Sequence, residues 1–258
     1  LILLMAEAFT SRRSKDGIAF LAIIGLGVVL GLLMFATACH EATIWGVYRV
    51  DHWSHFYKGI ALVATIIVLI ISLDYKSVLK QYTSEDETHA GIGEFYALPL
   101  FACAGLMWMA SAVDLITIFV ALELVTMSSY VLVTYMRRNV GSLEAGVKYL
   151  ILGALSTGFL VYGITWTFGI TGETDLAKIG AVLAGGEVPA TAAVFAFALL
   201  IVGLGFKIAA APFQIWVPDV YQGAATPITA FLSVGSKAAG FIVLIRVVTP
   251  FIDSPVGT

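Results

Sequence analysis

Long windows with few charges recur along the chain. Ile18 to Cys39 is the cleanest; Phe56 to Leu73 follows with Lys58 at its edge, then Phe95 to Val113, Leu115 to Met136, Tyr149 to Ile170, Val188 to Val217 and Ala225 to Ile245. A run of about 18 or more apolar residues is long enough to cross the hydrocarbon of a bilayer as a helix. The pattern therefore predicts seven full spans and an all-α, polytopic transmembrane helix bundle. The apolar opening at residues 1–6 is too short to cross, and with no initiating Met it reads as the end of a truncated eighth helix. A signal peptide would carry its basic residues before the apolar run, whereas here they come after it.

Composition agrees: 60% of residues are hydrophobic and 12% charged, which suits a chain whose solvent is mostly lipid. The formal net charge is −3 and no basic block appears, which argues against a nucleic-acid partner. With the short opening run counted as the first helix, the odd-numbered connections hold Arg12, Arg13, Lys15, Lys76, Lys80, Arg137 and Arg138. The even side holds Arg49, Lys58, Lys178 and Arg246, so the cation bias places the odd connections in the cytoplasm. Glu85, Asp86 and Glu87 read as a solvated loop, and Cys39 and Cys103 as small packing residues. His52, Trp53, His55, Phe56 and Tyr57 form the polar-aromatic mixture of a membrane interface rather than a metal pair.

Breaks between the runs supply capping residues. Ser111 or Asp114 can cap the helix that starts at Leu115, and so short a turn makes the flanking spans an antiparallel hairpin. Ser142 is expected to cap the next helix, with Glu144 in its first turn and Lys148 four residues on, on the same face. That pair reads equally as an interfacial salt bridge and as a subunit contact or proton link.

Three ionisable residues lie inside apolar runs. An intramembrane ammonium costs roughly 2.5–3.5 kcal/mol even on lenient insertion scales, so such groups face a polar interior and carry function by default. Glu123 lies roughly 14 Å into its helix and Lys237 roughly 18 Å into its own, at about 1.5 Å per residue. Lys207 falls mid-way along its run, so the three share a depth on three helices. Pro212 removes a backbone donor and crowds the carbonyl of Ile208, and Pro218 is expected to add a second interruption. Broken membrane helices occur where freed carbonyls meet neighbours or a lined cavity.

The segment from Gly205 to Lys237, with Lys207, Ala211-Pro212-Phe213, Pro218-Asp219-Val220-Tyr221-Gln222-Gly223 and Thr226-Pro227, closely resembles the antiporter-like membrane subunits of respiratory complex I. Gly93-Glu94-Phe95-Tyr96, Leu122-Glu123-Leu124, Ser142-Leu143-Glu144-Ala145 and Lys148-Tyr149 extend the resemblance over most of residues 93–246, nearest to the subunit N type. It implies two inverted five-helix repeats, of which only the first is present. On that pattern residues 1–90 are N-terminal transmembrane helices, 91–250 the first repeat, and 251–258 the start of the connection to the second. Two positions depart from it: Gln214 stands where the family often has His, and Ala225 where a proline commonly precedes Thr-Pro. An amide does not titrate, so Gln214 is no proton relay.

The resemblance implies that Glu123, Lys207, Lys237 and Glu144 serve proton translocation in a NADH-quinone oxidoreductase, with quinone reduction elsewhere in the complex. Glu123 and Lys207 would form a switchable ion pair, because burial disfavours an ammonium while a near carboxylate favours it. Lys237 would pass the proton onward. No cofactor is expected in this chain; NADH, flavin, iron–sulfur clusters and quinone would sit in partner subunits, which include related antiporter-like ones. The setting would be an energy-transducing membrane. The competing readings are a cation/proton antiporter subunit and a structural helix-packing subunit.

Overall fold

A computed structural model describes residues 5, 16–35, 42–83 and 92–253. Arg12, Arg13, Lys15, Cys39, the Glu85–Glu87 run, residues 254–258 and all of the opening run but Met5 lie outside the described residues. The described helices are α1 (Asp16–Phe35), α2 (His52–Asp74), α3 (Lys76–Thr83), α4 (Ile92–Ser111), α5 (Leu115–Val133), α6 (Val140–Thr171), α7 (Leu176–Ala184), α8 (Ala190–Ile208), α9 (Val217–Gly223) and α10 (Thr226–Ile252). Among the described residues seven segments are long and apolar enough to span a bilayer, with α8, its break and α9 together forming one of them. A two-stranded antiparallel hairpin, β1 (Ala42–Ile44) and β2 (Tyr48–Val50), joins α1 to α2.

Small residues mark where helices of the bundle approach most closely. On α6 the large residues Val147, Ile151 and Leu155 form an exposed i, i+4 stripe, while Ala145, Gly146, Gly153, Ser156 and Gly163 are buried. Lipid solvates a large apolar side chain as well as protein does, so close backbone approach, not hydrophobicity, selects the inward face. One such close approach joins α6 to α8. A Cβ on Gly203 would fall 2.7 Å from Leu160 Cβ and 3.0 Å from its Cα, and Ser156 Oγ donates to Gly203 O at 3.0 Å. Gly203→Val is therefore expected to destabilise the fold by about 1–3 kcal/mol through overpacking. Unfolding in detergent would read this loss. Gly169→Ala, where a Cβ meets nothing within 4 Å, should leave the midpoint in place.

The short α4–α5 turn forms as expected, and Asp114 is its cap: one carboxylate oxygen accepts from the N–H groups of Ile116 and Thr117, both at 3.0 Å. Ser111 instead ends α4. Backbone bonds tie this end of the bundle together, Val113 N–H to Val47 O (3.1 Å), Leu115 N–H to Thr174 O (2.9 Å) and Leu176 N–H to Val113 O (3.0 Å).

Several expectations change. Asn139, not Ser142, caps α6, accepting from Gly141 and Ser142, because the helix starts at Val140 rather than after Ser142. Ser142 lies within the first turn, where its hydroxyl donates to Val133 O at 2.6 Å. The α10 helix runs past Ile245 to Ile252, carrying Pro250 inside its last turn. Pro218 does not break a helix but begins one, since it occupies the first turn of α9, whose N–H groups have no intrahelical acceptor to lose. The hairpin, α3 and α7 were not expected, being too short for a spanning run.

Candidate functional site

The interruption next to Lys207 is real and sharp. α8 ends at Ile208, Ala209 adopts the left-handed conformation (φ 58°), and a 3-10 turn over Phe213–Trp216 leads into α9. Such a break frees carbonyls at the end of α8, and one is met from within: Trp216 Nε1 donates to Phe206 O at 3.0 Å. Trp216 is fully buried, stacked on Tyr149 at 4.9 Å between ring centroids. Lys207 lies in the last turn of α8, where the partial negative charge of the helix end favours a cation.

Lys207 Nζ donates to Thr126 Oγ1 at 2.7 Å. That hydroxyl spends its own proton on Leu122 O at 2.8 Å, so its lone pairs are free to accept. Glu123 is three residues before Thr126 on α5, on the same side of the helix. Its Oε1 accepts from Thr157 on α6 at 2.9 Å. Glu123 and Lys207 thus converge from α5 and α8 as the depth argument expected, but each ends on a threonine rather than on the other. No sequence pattern marked either threonine, because a hydroxyl in an apolar run is cheap when it back-bonds to its own helix.

Lys237 on α10 donates to the Tyr221 hydroxyl, and its ammonium sits 4.9 Å from the Tyr221 ring centre and 5.6 Å from that of Trp216. Phe206, whose ring centre is 5.9 Å from Lys207 Nζ, packs against Trp216 at 5.4 Å. Phe206 and Trp216 thus form a contiguous aromatic wall, with Lys207 against one ring and Lys237 against the other, each favoured by cation–π attraction. Among the described residues no hydrogen-bond chain runs from one lysine to the other.

Glu144 belongs to a different cluster. It pairs with Lys148 at 2.8 Å, and Lys148 also meets Asp219 of α9 at 3.3 Å, joining α6 to the far side of the break. Glu144 is 62% exposed, and the thirteen residues to Thr157 put it roughly 20 Å along α6 from the Glu123 contact. Pro212 and Gln214 are also exposed.

The sequence reading missed a charge clamp at the other end. Arg246 of α10 places one terminal nitrogen 2.9 Å from both Asp51 carboxylate oxygens and 3.1 Å from Ala110 O. Asp51 at the same time caps α2 through Ser54. Both side chains are 10% exposed. The partners are 195 positions apart in the chain, and no local spacing could reveal them.

Comparison with known proteins places these features in a family. Residues 112–256 match the family described as NADH:quinone oxidoreductase/Mrp antiporter, TM. The chain is 39% identical over 259 residues to NADH-quinone oxidoreductase subunit N 2 of Koribacter versatilis, covering 96% of this chain and 50% of that one. It is 42% identical over 238 residues to subunit N of Heliobacterium modesticaldum, covering 91% and 48%. Among solved structures it resembles a chain of respiratory complex I from Thermus thermophilus with bound aureothin, with TM-score 0.77 and 31% identity, over 95% of this chain and 50% of that one. The chain spans about half the length of the relatives it matches. A match over more than half of an integral, multi-pass chain, across the very helices that hold Glu123, Lys207 and Lys237, makes it a member of the NADH:quinone oxidoreductase/Mrp antiporter transmembrane family.

Proposed function

We propose that this chain is part of a proton-translocating, subunit N type component of the membrane arm of a NADH-quinone oxidoreductase. The observation that carries the reading is Lys207, anchored at the end of an interrupted membrane helix and reaching to within one helical turn of Glu123. The subunit N names of relatives about 40% identical support the assignment to that complex. NADH, flavin, iron–sulfur clusters and quinone belong to partner subunits, and the chain's own residues hold and move protons.

In this reading Glu123 alternates between Thr157 and Lys207. An approaching carboxylate favours the lysine ammonium; a carboxylate kept on Thr157 leaves Lys207 with only the neutral Thr126 acceptor and frees its proton. Lys237, beside the Tyr221 hydroxyl, receives it after rearrangement of the aromatic wall. Residues 91–250 act as one repeat of a longer subunit, residues 1–90 as the helices that flank it, and residues 251–258 as the start of the link to a second repeat. Glu144, with Lys148 and Asp219, ties α9 to α6 at the exposed end.

The test is to tag this chain in its native membrane and purify what it holds. Flavin and iron–sulfur subunits should copurify, and membranes lacking the chain should lose NADH-driven acidification of vesicles. Cation/proton exchange by a particle without redox subunits would instead establish the antiporter reading.

A further inference from the structure

Two buried tyrosines link the surroundings of Glu123 to those of Lys237, and neither has a role in the proposed alternation. On α5, Glu123, Thr126 and Tyr130 follow one another at three- and four-residue spacing and so share a face. On α6, Tyr149, Gly153 and Thr157 do the same at four-residue spacing. The two faces meet: Glu123 accepts from Thr157, and the Tyr130 hydroxyl sits against Gly153, where a Cβ would collide with it. Helical side chains lean towards the start of their helix, so Tyr130 reaches back in the direction of Glu123. Its ring meets Tyr149 edge to face at 4.9 Å, and Tyr149 stacks on Trp216 at 4.9 Å. Trp216 in turn meets, at 6.3 Å, the ring of Tyr221, whose hydroxyl accepts from Lys237. Tyr149 is buried, and its hydroxyl has those of Tyr130 and Tyr221 and the Glu123 carboxylate as electrostatic neighbours. Packing alone would be served by phenylalanine at either position, since a hydroxyl in an apolar interior costs free energy that a phenyl ring does not.

We propose, on the basis of the proton-translocating role above, that the Tyr130 and Tyr149 phenols relay the proton from Lys207 to Lys237. A phenol suits the task because its oxygen donates one proton and accepts another, whereas Phe206 and Trp216 offer no acceptor. The proton leaves Lys207 Nζ, which becomes a neutral amine, and binds Tyr130 Oη as the Tyr130 proton passes to Tyr149. The Tyr149 proton passes to Tyr221, whose own proton converts a Lys237 amine left neutral by the previous turnover into an ammonium. Each phenol is neutral before and after, so no charge is stranded on the aromatic wall. The hydroxyls form no continuous chain here, and a tilt of the rings, or a water between them, closes the gaps during transfer. A path broken at rest keeps protons from leaking between turnovers.

Inverted membrane vesicles carrying the native assembly are assayed for acidification per NADH oxidised. Tyr149→Phe keeps a ring against Trp216 and should lower that ratio by about 10²-fold, the low end for a positioned acid–base group, with the assembly intact. Tyr130→Phe should match it. Meta-fluorotyrosine in place of Tyr149 keeps the hydroxyl on a more acidic phenol. It should restore pumping and move the alkaline limit of the pH profile to lower pH, a shift that a packing role would not produce. Full pumping in Tyr149→Phe, or an unshifted profile with meta-fluorotyrosine, would overturn the relay. Lys207→Ala, run alongside, separates the two levels. Loss there with full pumping in Tyr149→Phe removes the relay alone; no loss there removes the proton-translocating role and the relay with it.

Discussion

Lys207→Ala is expected to lower proton transfer through this chain by about 10²-fold, the lower end of what a positioned acid–base group contributes, while electron transfer in the assembly continues. Alanine should leave the backbone in place, because the ammonium makes side-chain contacts alone, to the Thr126 hydroxyl and the Phe206 ring. In the proposed mechanism, removing the ammonium takes away the group that carries the proton between Glu123 and the far side of the break. Glu123→Gln should give a similar loss, because an amide still accepts from Thr157 but brings no charge to Lys207. Thr126→Val separates anchoring from chemistry. It keeps the shape and removes the acceptor, so proton transfer should fall less steeply than in Lys207→Ala. Acidification of inverted vesicles, measured against NADH oxidation in the same sample, reads all three. Undiminished pumping in Lys207→Ala would remove this lysine from the mechanism.

Arg246→Ala should destabilise the chain by about 3–5 kcal/mol, because it strands the Asp51 carboxylate in a site that is nine-tenths buried. The loss is larger than for an exposed pair, since Asp51 also holds the first turn of α2 and Arg246 also caps Ala110 O at the end of α4. One guanidinium thus couples α2, α4 and α10. The double variant Arg246→Met with Asp51→Asn should recover part of the loss, since neither side is then an uncompensated charge. Burial pushes the Asp51 carboxyl up, but the Ser54 N–H, the Arg246 charge and the Ser54 hydroxyl together hold it below its ordinary value. A carboxyl lowered in the folded state contributes its stability above the unfolded value and loses it as pH falls through the lowered one. Thermal unfolding in detergent should therefore show the gap between wild type and Arg246→Ala constant from about pH 5 upward and closing below about pH 4. A gap that widens on acidification would contradict the clamp.

Each level of organisation left a different trace in the chain. Seven apolar runs were legible because spanning a bilayer imposes a minimum length that few other structures share. The interruption after Lys207 was legible from Pro212, but its form was not: Pro218 looks the same in sequence whether it kinks a helix or opens one, and only the end of α8 at Ile208 decides. Helix ends were the least reliable. Asn139 and Ser142 can both cap, and the choice fell to Asn139 when Ser142 found a long-range acceptor in Val133 O.

By itself the sequence determined that this is a multi-span helical membrane protein with a carboxylate and two ammonium groups inside its spans, since hydropathy and the cost of a buried charge act on every residue regardless of its neighbours. Tertiary structure decided what those charges touch. Thr126 holds Lys207 and Thr157 holds Glu123, Trp216 lies against Lys237, and Arg246 finds Asp51 across nearly the whole chain. Contacts of this kind depend on which faces of packed helices meet, and no periodicity in one helix names its partner on another.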